Sequence, residues 1–211
     1  QSGVAWQHPV EVIKIWFSDS SGKELTQFLS HLPKLSKLGV CHCENITQFA
    51  VGVDLQQTTS PVVSWSTSLD VRMDETNAED EQQQIADVGE EANNGLLLLP
   101  AHLSNSLQAL VIDSRWLVVH SLEALEALTT LLELKYCSFR HPFPSSLLDL
   151  RLWSVKGVQT MEPFSNLTSL TRLKIRSCGE DLRCQGLLPL LTRGQLSQLE
   201  VSKSPNFFGA W

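Results

Sequence analysis

Leu170-Thr171-Arg172-Leu173-Lys174-Ile175-Arg176-Ser177-Cys178 places apolar residues at its first, fourth and sixth positions. The last two, Leu173 and Ile175, are two apart and so share one face of a short strand. Leu170 enters the same side from the preceding bend. The pattern, with Ile, Val or an aromatic also admitted, recurs at Leu35-x-x-Leu38-x-Val40, Leu107-x-x-Leu110-x-Ile112, Leu147-x-x-Leu150-x-Leu152 and Leu196-x-x-Leu199-x-Val201. Val10-x-x-Ile13-x-Ile15 and Leu131-x-x-Leu134-x-Tyr136 fit as well, and a degenerate eighth copy lies at Ser66-x-x-Leu69-x-Val71. The register of the copy at 131 is ambiguous by a residue or two, because Leu131 and Leu132 both can start it.

One copy cannot bury its apolar face alone, whereas stacked neighbours form a continuous core. The expected fold is therefore an α/β leucine-rich-repeat solenoid, a curved horseshoe. It would have a parallel sheet on the concave face and short helices and loops on the convex face. Residues 1–211 read as a single domain of about eight irregular repeats, set against the alternative of an ordinary α/β domain. The step from Leu131 to Leu147 is short, and Pro142 and Pro144 supply a tight bend there. The long step from Ser66 to Leu107 holds an insertion. Helical spacing over Lys23 to Leu32 (Leu25, Phe28, Leu29, Leu32) predicts a helix stopped by Pro33. Leu122, Leu125 and Leu128 predict another over Ser121 to Leu128, and Gly186 to Leu191 is apolar but interrupted by Pro189.

The formal charge of −7 is unevenly placed. Asp70, Asp74, Glu75, Glu79, Asp80, Glu81, Asp87, Glu90 and Glu91 crowd one stretch with a single base, Arg72, so overall acidity says little about any binding face. The stretch from Asp74 to Asn94 has no aromatic residue and few aliphatic ones. It is expected to be an acidic flexible insertion, either a docking insert or a solvated one. Five irregularly spaced cysteines with no preceding signal peptide fit a reduced, cytoplasmic setting. No apolar run approaches the ~18–20 residues that span a bilayer. Gln1 is not a start methionine and the chain opens almost directly on a repeat, so a fragment of a longer protein is expected.

Motifs for chemistry are missing. There is no G-x-x-x-x-G-K-[ST], H-E-x-x-H or G-x-S-x-G, and His8, His31, His102, His120 and His141 have no recurrent partner. Neither an enzyme nor a bound cofactor is expected, and the basic excess that nucleic-acid binding favours is lacking. Cys41-His42-Cys43 has the look of a metal seed, but no second pair follows at zinc-like spacing. Cys43 stands eight residues after Leu35, as Cys178 does after Leu170. In leucine-rich repeats that position takes Asn or Cys, whose side chain turns inward at the strand's end to bond the backbone. Asn45-Ile46-Thr47 and Asn166-Leu167-Thr168 match the glycosylation acceptor pattern, and Asn166 alternatively serves the bend before Leu170.

The intervening strand residues should face outward as columns, one strand spacing of ~4.8 Å apart. One column reads Lys14, Gly39, Val111, Lys135, Arg151, Lys174, Glu200, and the next Trp16, Cys41, Asp113, Cys137, Trp153, Arg176, Ser202. The last four strands gather Lys135, Arg151, Trp153, Arg172, Lys174 and Arg176. Arg176 should lie beside Trp153, a pair of residue types favoured at binding hot spots. Two readings stay open for this concave patch. One is a docking surface for an acidic protein partner or for another domain of the same protein. The other is a solvated basic face that balances Glu133, Asp149 and Glu200.

The wording of two segments is more specific than their period. Leu98-Leu99-Pro100-Ala101-His102-Leu103-Ser104-Asn105-Ser106-Leu107-Gln108-Ala109-Leu110 and Leu167-Thr168-Ser169-Leu170-Thr171-Arg172-Leu173-Lys174-Ile175-Arg176-Ser177-Cys178 resemble the repeat region of plant nucleotide-binding leucine-rich-repeat disease resistance proteins, those of grasses especially. The resemblance covers roughly residues 10–205. It implies an intracellular receptor domain that senses a pathogen effector and takes part in autoinhibition. The nucleotide-binding region that defines such receptors has no counterpart here, so no nucleotide site carries over. Cys43-Glu44-Asn45-Ile46-Thr47 also echoes the repeats of F-box-type ubiquitin-ligase substrate receptors, which is the alternative function.

Overall fold

A computed structural model describes residues 9–52, 94–140, 142–193 and 195–209. The degenerate copy at Ser66, the acidic stretch as far as residue 93, His8 and His141 lie outside the described residues. In chain order the elements are β1 (Val12–Trp16), α1 (Gly22–Leu29), β2 (Lys37–Cys41), β3 (Gln48–Val51), β4 (Leu96–Leu99), β5 (Ala109–Asp113), β6 (Val118–Val119) and β7 (Leu131–Lys135). They continue with β8 (Ser138–Phe139), β9 (Asp149–Trp153), β10 (Arg172–Arg176), α2 (Leu188–Thr192) and β11 (Gln198–Ser202). Short 3-10 turns occupy Ala101–Asn105 and Glu162–Phe164.

The architecture is α/β with a parallel seven-stranded sheet, ordered β1-β2-β5-β7-β9-β10-β11, and few helices. The apolar pattern explains its register. Ile13, Leu38, Leu110, Leu132, Leu150, Leu173 and Leu199 align as one row across the strands. Ile15, Val40, Ile112, Leu134, Leu152, Ile175 and Val201 form a second. Both rows face one continuous core, fully buried in the middle strands and partly covered at β1 and β11. The bend residues Leu35, Leu107, Leu147 and Leu170 join that core. Val10, expected to do the same for the first copy, is exposed instead.

A second parallel sheet, ordered β4-β3-β6-β8, contributes Phe49, Leu97, Leu99 and Val119 to the same core. Sequence reading placed only helices and loops behind the strands and did not foresee it. α1 begins at Ser21, whose side chain accepts from the Glu24 N–H while Glu24 bonds back to the Ser21 N–H. This reciprocal cap satisfies two amides that the first turn leaves open. Gly22 follows because any Cβ there would collide with the backbone of Leu96 on β4.

Three expectations need correction. The pairing of β7 with β5 and β9 aligns Leu132 with Leu110 and Leu150, which moves the seventh copy by two residues. Glu133 therefore stands opposite Arg151, Lys135 stands opposite Trp153, and Tyr136 is exposed beyond the strand's end. Ser121 to Leu128 is not a helix. Its leucines are fully buried, but through consecutive turns in which Leu125 donates to Leu122 and Leu128 to Leu125. Other amides of the segment bond outward, Leu122 to Pro142 and Ala127 to Ser104, which ties it to the turns on either side. Pro189 does not interrupt the last helix. It occupies the first turn of α2, where its missing N–H is not needed.

Six of the seven sheet strands run into a non-glycine residue with φ between 50° and 58°: Phe17, His42, Tyr136, Ser154, Ser177 and Lys203. The left-handed region costs such residues about 1–2 kcal/mol each. Five of them keep their amide in the interstrand ladder. Phe17 donates to Cys41, His42 to Asp113, Tyr136 to Trp153, Ser154 to Arg176 and Ser177 to Ser202, at 2.7–3.1 Å.

Candidate protein-docking face

The six residues singled out from sequence lie together on β7, β9 and β10. Lys135 Nζ lies 4.8 Å from the centre of the Trp153 ring, Arg176 Cζ 5.2 Å and Lys174 Nζ 5.9 Å. The anticipated guanidinium–ring contact is thus present, with two ammonium groups beside it. Each such contact stabilises an exposed site by about 0.5–1 kcal/mol. Trp153 is half-buried rather than bare, and its indole N–H is shielded without an acceptor.

The remaining charges are largely answered. Lys135 pairs with Glu133 at 2.9 Å and Lys174 with Glu200 at 2.9 Å. Asp149, only 2% exposed, holds Arg151 through two hydrogen bonds of 3.2 and 3.0 Å and Arg172 at 3.0 Å. The bond from Asp149 also keeps Arg151 above its ordinary pKa. The balancing acids named from sequence do take up much of the basic charge. Arg176, in contrast, has no carboxylate partner among the described residues, and Lys203 is likewise outside the ion pairs found there. Both line a cleft of about 230 Å³ beside Trp153, with Tyr136, Ser154 and Ser177 completing it. Four of those six residues, Tyr136, Ser154, Ser177 and Lys203, are the left-handed strand-end positions. This cleft offers cations, hydroxyls and the indole ring of Trp153, and no carboxylate.

Sequence reasoning missed a second depression over β1, β2, β5 and β7. It measures about 380 Å³ and is floored by Gly39 and Val111 with Val12, Leu131 and Trp16 around it. Asp113 lines the same space, 9% exposed, with Oδ1 buried and lacking a hydrogen bond. The nearest cationic candidate, His42 Nε2, stands at 3.8 Å, beyond hydrogen-bond reach. Trp16 and Phe17 are 54% and 73% exposed, and Phe17 stacks on His42 at 4.9 Å. The column that runs Trp16, Cys41, Asp113 was legible in sequence, but no signal there distinguishes a paired aspartate from an unpaired one.

All five cysteines are buried free thiols. Cys43 Sγ donates to the Cys41 carbonyl at 3.4 Å, and Cys178 Sγ to the Arg176 carbonyl at 3.5 Å, as the strand-end reading expected. The corrected register puts Cys137 at the same position. Burial pushes Cys41 up to about 11 and Cys137 up to about 12, with Asp113 adding to both shifts, and burial also raises Cys178. Thiols held so firmly protonated are poor nucleophiles. Among the described residues no group of three or more His, Cys, Asp or Glu could hold a metal ion, Cys41-His42-Cys43 included. Asn45 and Asn166 both donate their side-chain amide to a distant carbonyl, of Asp19 and Phe143 respectively. The second bond braces the bend before β10. Among the described residues no helix is long and apolar enough to cross a membrane.

No protein-family model, curated protein or solved structure matches this chain.

Proposed function

We propose that the chain is a leucine-rich-repeat solenoid whose seven-stranded sheet forms the concave face of a horseshoe. In this reading it is the recognition and autoinhibition module of an intracellular, cytoplasmic plant immune receptor. It binds protein and performs no chemistry of its own. The observation that carries the docking part is Trp153, flanked by Lys135, Lys174 and Arg176, with an unpaired indole N–H and an Arg176 that no described carboxylate answers. Such a site suits an acidic segment. Carboxylates would meet Arg176 and Lys203 while an apolar group packs on the exposed part of the indole ring.

The mechanism is a competition. An acidic surface elsewhere in the receptor occupies the C-terminal half of the face and holds the protein inactive. A pathogen protein binds one arrangement better than the other and shifts the population. The shift can be no larger than that difference in affinity. The resemblance of the segments around Leu98 and Leu167 to plant resistance proteins supports the receptor assignment.

The test is to read the transcript upstream of the codon for Gln1. A reading frame with G-x-x-x-x-G-K-[ST] is the expected result. A short F-box in that place would replace the receptor with a ubiquitin-ligase substrate adaptor.

A further inference from the structure

We propose that the depression over β1, β2, β5 and β7 is a second recognition site, which takes a single arginine or lysine flanked by apolar side chains on a partner protein segment. This site adjoins the docking patch at Trp153, sharing Lys135 with it, but is centred on a different residue, Asp113.

Three observations fix the chemistry. The first is Asp113. Its side chain lines an open space of about 380 Å³, and its Oδ1, buried just beneath, has no hydrogen-bond donor. Neighbours do not fill that need. Cys41 flanks Asp113 in register on one side, and its thiol is spoken for by burial rather than by a bond to the carboxylate. Lys135 flanks it on the other, but its ammonium sits 2.9 Å from Glu133 and over the Trp153 ring. His42 stops at 3.8 Å. A donor from outside would complete the site, and a charged one would complete it best.

The second observation is the rest of the lining. Gly39 and Val111 leave the floor low, and Val12 and Leu131 make it apolar. Gly39 is what keeps it open, because a Cβ there would come within 3.3 Å of the Lys14 side chain. The volume lies within the ~300–1,000 Å³ range of small-ligand sites, enough for one or two side chains. Trp16 offers a half-exposed ring to a guanidinium or to an apolar neighbour.

The third is the rim. Lys14 and Lys37 are exposed and border the same space, while Lys135 and Glu133, which also line it, pair with each other at 2.9 Å and leave Asp113 as the unpaired acid. Lys14 and Lys37 repel a run of basic residues and admit one cation aimed at Asp113. The occupant is therefore apolar–cation–apolar in pattern.

The experiment uses the full 211-residue chain and the peptide acetyl-Leu-Arg-Leu-amide, with acetyl-Leu-Glu-Leu-amide as its opposite. Binding is followed by the indole N–H signal of Trp16, assigned through Trp16→Phe. The arginine peptide should move the Trp16 signal and leave that of Trp153 in place, and the glutamate peptide should not move Trp16. Asp113→Asn should weaken the arginine peptide by about tenfold, the effect of removing a charged hydrogen-bond partner. Gly39→Val, which fills the floor, should abolish the response and serves if the first variant fails to fold. An unmoved Trp16 signal at millimolar arginine peptide overturns the proposal. So does an equal response to both peptides, or a Gly39→Val chain that binds as well as the parent.

Discussion

The two ends of one sheet face are built from the same strand positions and present opposite chemistry. At β1, β2 and β5 the outward residues are small or apolar apart from Lys14 and Lys37 at the rim, and the buried polar group left over is an acceptor, Asp113 Oδ1. At β9, β10 and β11 they are charged, and the groups left over are donors, the Trp153 indole and Arg176. The core rows beneath do not change, being Leu, Ile and Val throughout. The sheet thus keeps its core rows constant while its outward face varies. Two apolar residues per strand form those rows, and the residues beside and between them contribute little to the apolar core even where, as at Asp113 and Asp149, they are buried.

This separation predicts equal effects below the sheet and unequal effects above it. The largest should come from the core. Leu110→Ala and Leu150→Ala remove fully buried side chains from the two halves, and each should cost about 2–5 kcal/mol in urea unfolding. A difference between them well beyond that spread would mean that the halves differ in depth as well as on the surface. Next come the two buried aspartates. Asp149→Asn strips Arg151 and Arg172 of their shared partner and should cost about 1–2 kcal/mol, discounted because both guanidinium groups are partly exposed. Asp113→Asn removes a group with no hydrogen bond at Oδ1 and should be neutral within about 0.5 kcal/mol or slightly stabilising. If the two substitutions cost the same, Asp113 has a partner and the comparison fails.

A pH effect of similar or smaller size follows from the thiols. The fold favours their protonated form, so their folded pKa values stand above the ordinary thiol value of ~8.5. The stability they contribute is complete below that pH and is lost as pH rises toward about 11 for Cys41 and about 12 for Cys137. Between pH 8 and pH 10 urea unfolding should show a loss of about 1 kcal/mol per thiol. Cys41→Ser should remove part of that slope. The smallest effect is Arg176→Ala, which should lower stability by no more than about 1 kcal/mol, because it removes only a contact with the Trp153 ring. A larger loss would make Arg176 structural and weaken its assignment to binding.

Much of this fold could be read from the chain. Leu38 with Val40, Leu110 with Ile112 and Leu173 with Ile175 carry a two-residue period that only a half-buried strand explains, and all six point into the core. The seventh copy was not readable to the residue, since Leu131, Leu132, Leu134 and Tyr136 satisfy two registers. Pairing with β5 and β9 decides between them, and that is a property of neighbours. The second sheet escaped notice because strands as short as Val118–Val119 have no period to detect. The Leu122, Leu125, Leu128 spacing fits one helical face and three successive turns equally well. At the site, the six basic and aromatic residues were legible as a column, and so was the Arg176–Trp153 contact. The pairing of Asp149 with two arginines and the isolation of Asp113 were not. Both depend on which rotamers meet across strands far apart in sequence.

The proposed function requires that the Trp153 end of the face restrain the receptor of which the chain would be part. The protein encoded by the complete transcript should be expressed in leaf tissue, with and without Trp153→Ala and Arg176→Ala together. The parent should accumulate quietly, and the double variant should trigger the defence response without any pathogen protein, because the inhibitory contact has lost its anchor. A double variant that accumulates to the parent's level, unfolds like it, and stays quiet would contradict the central claim.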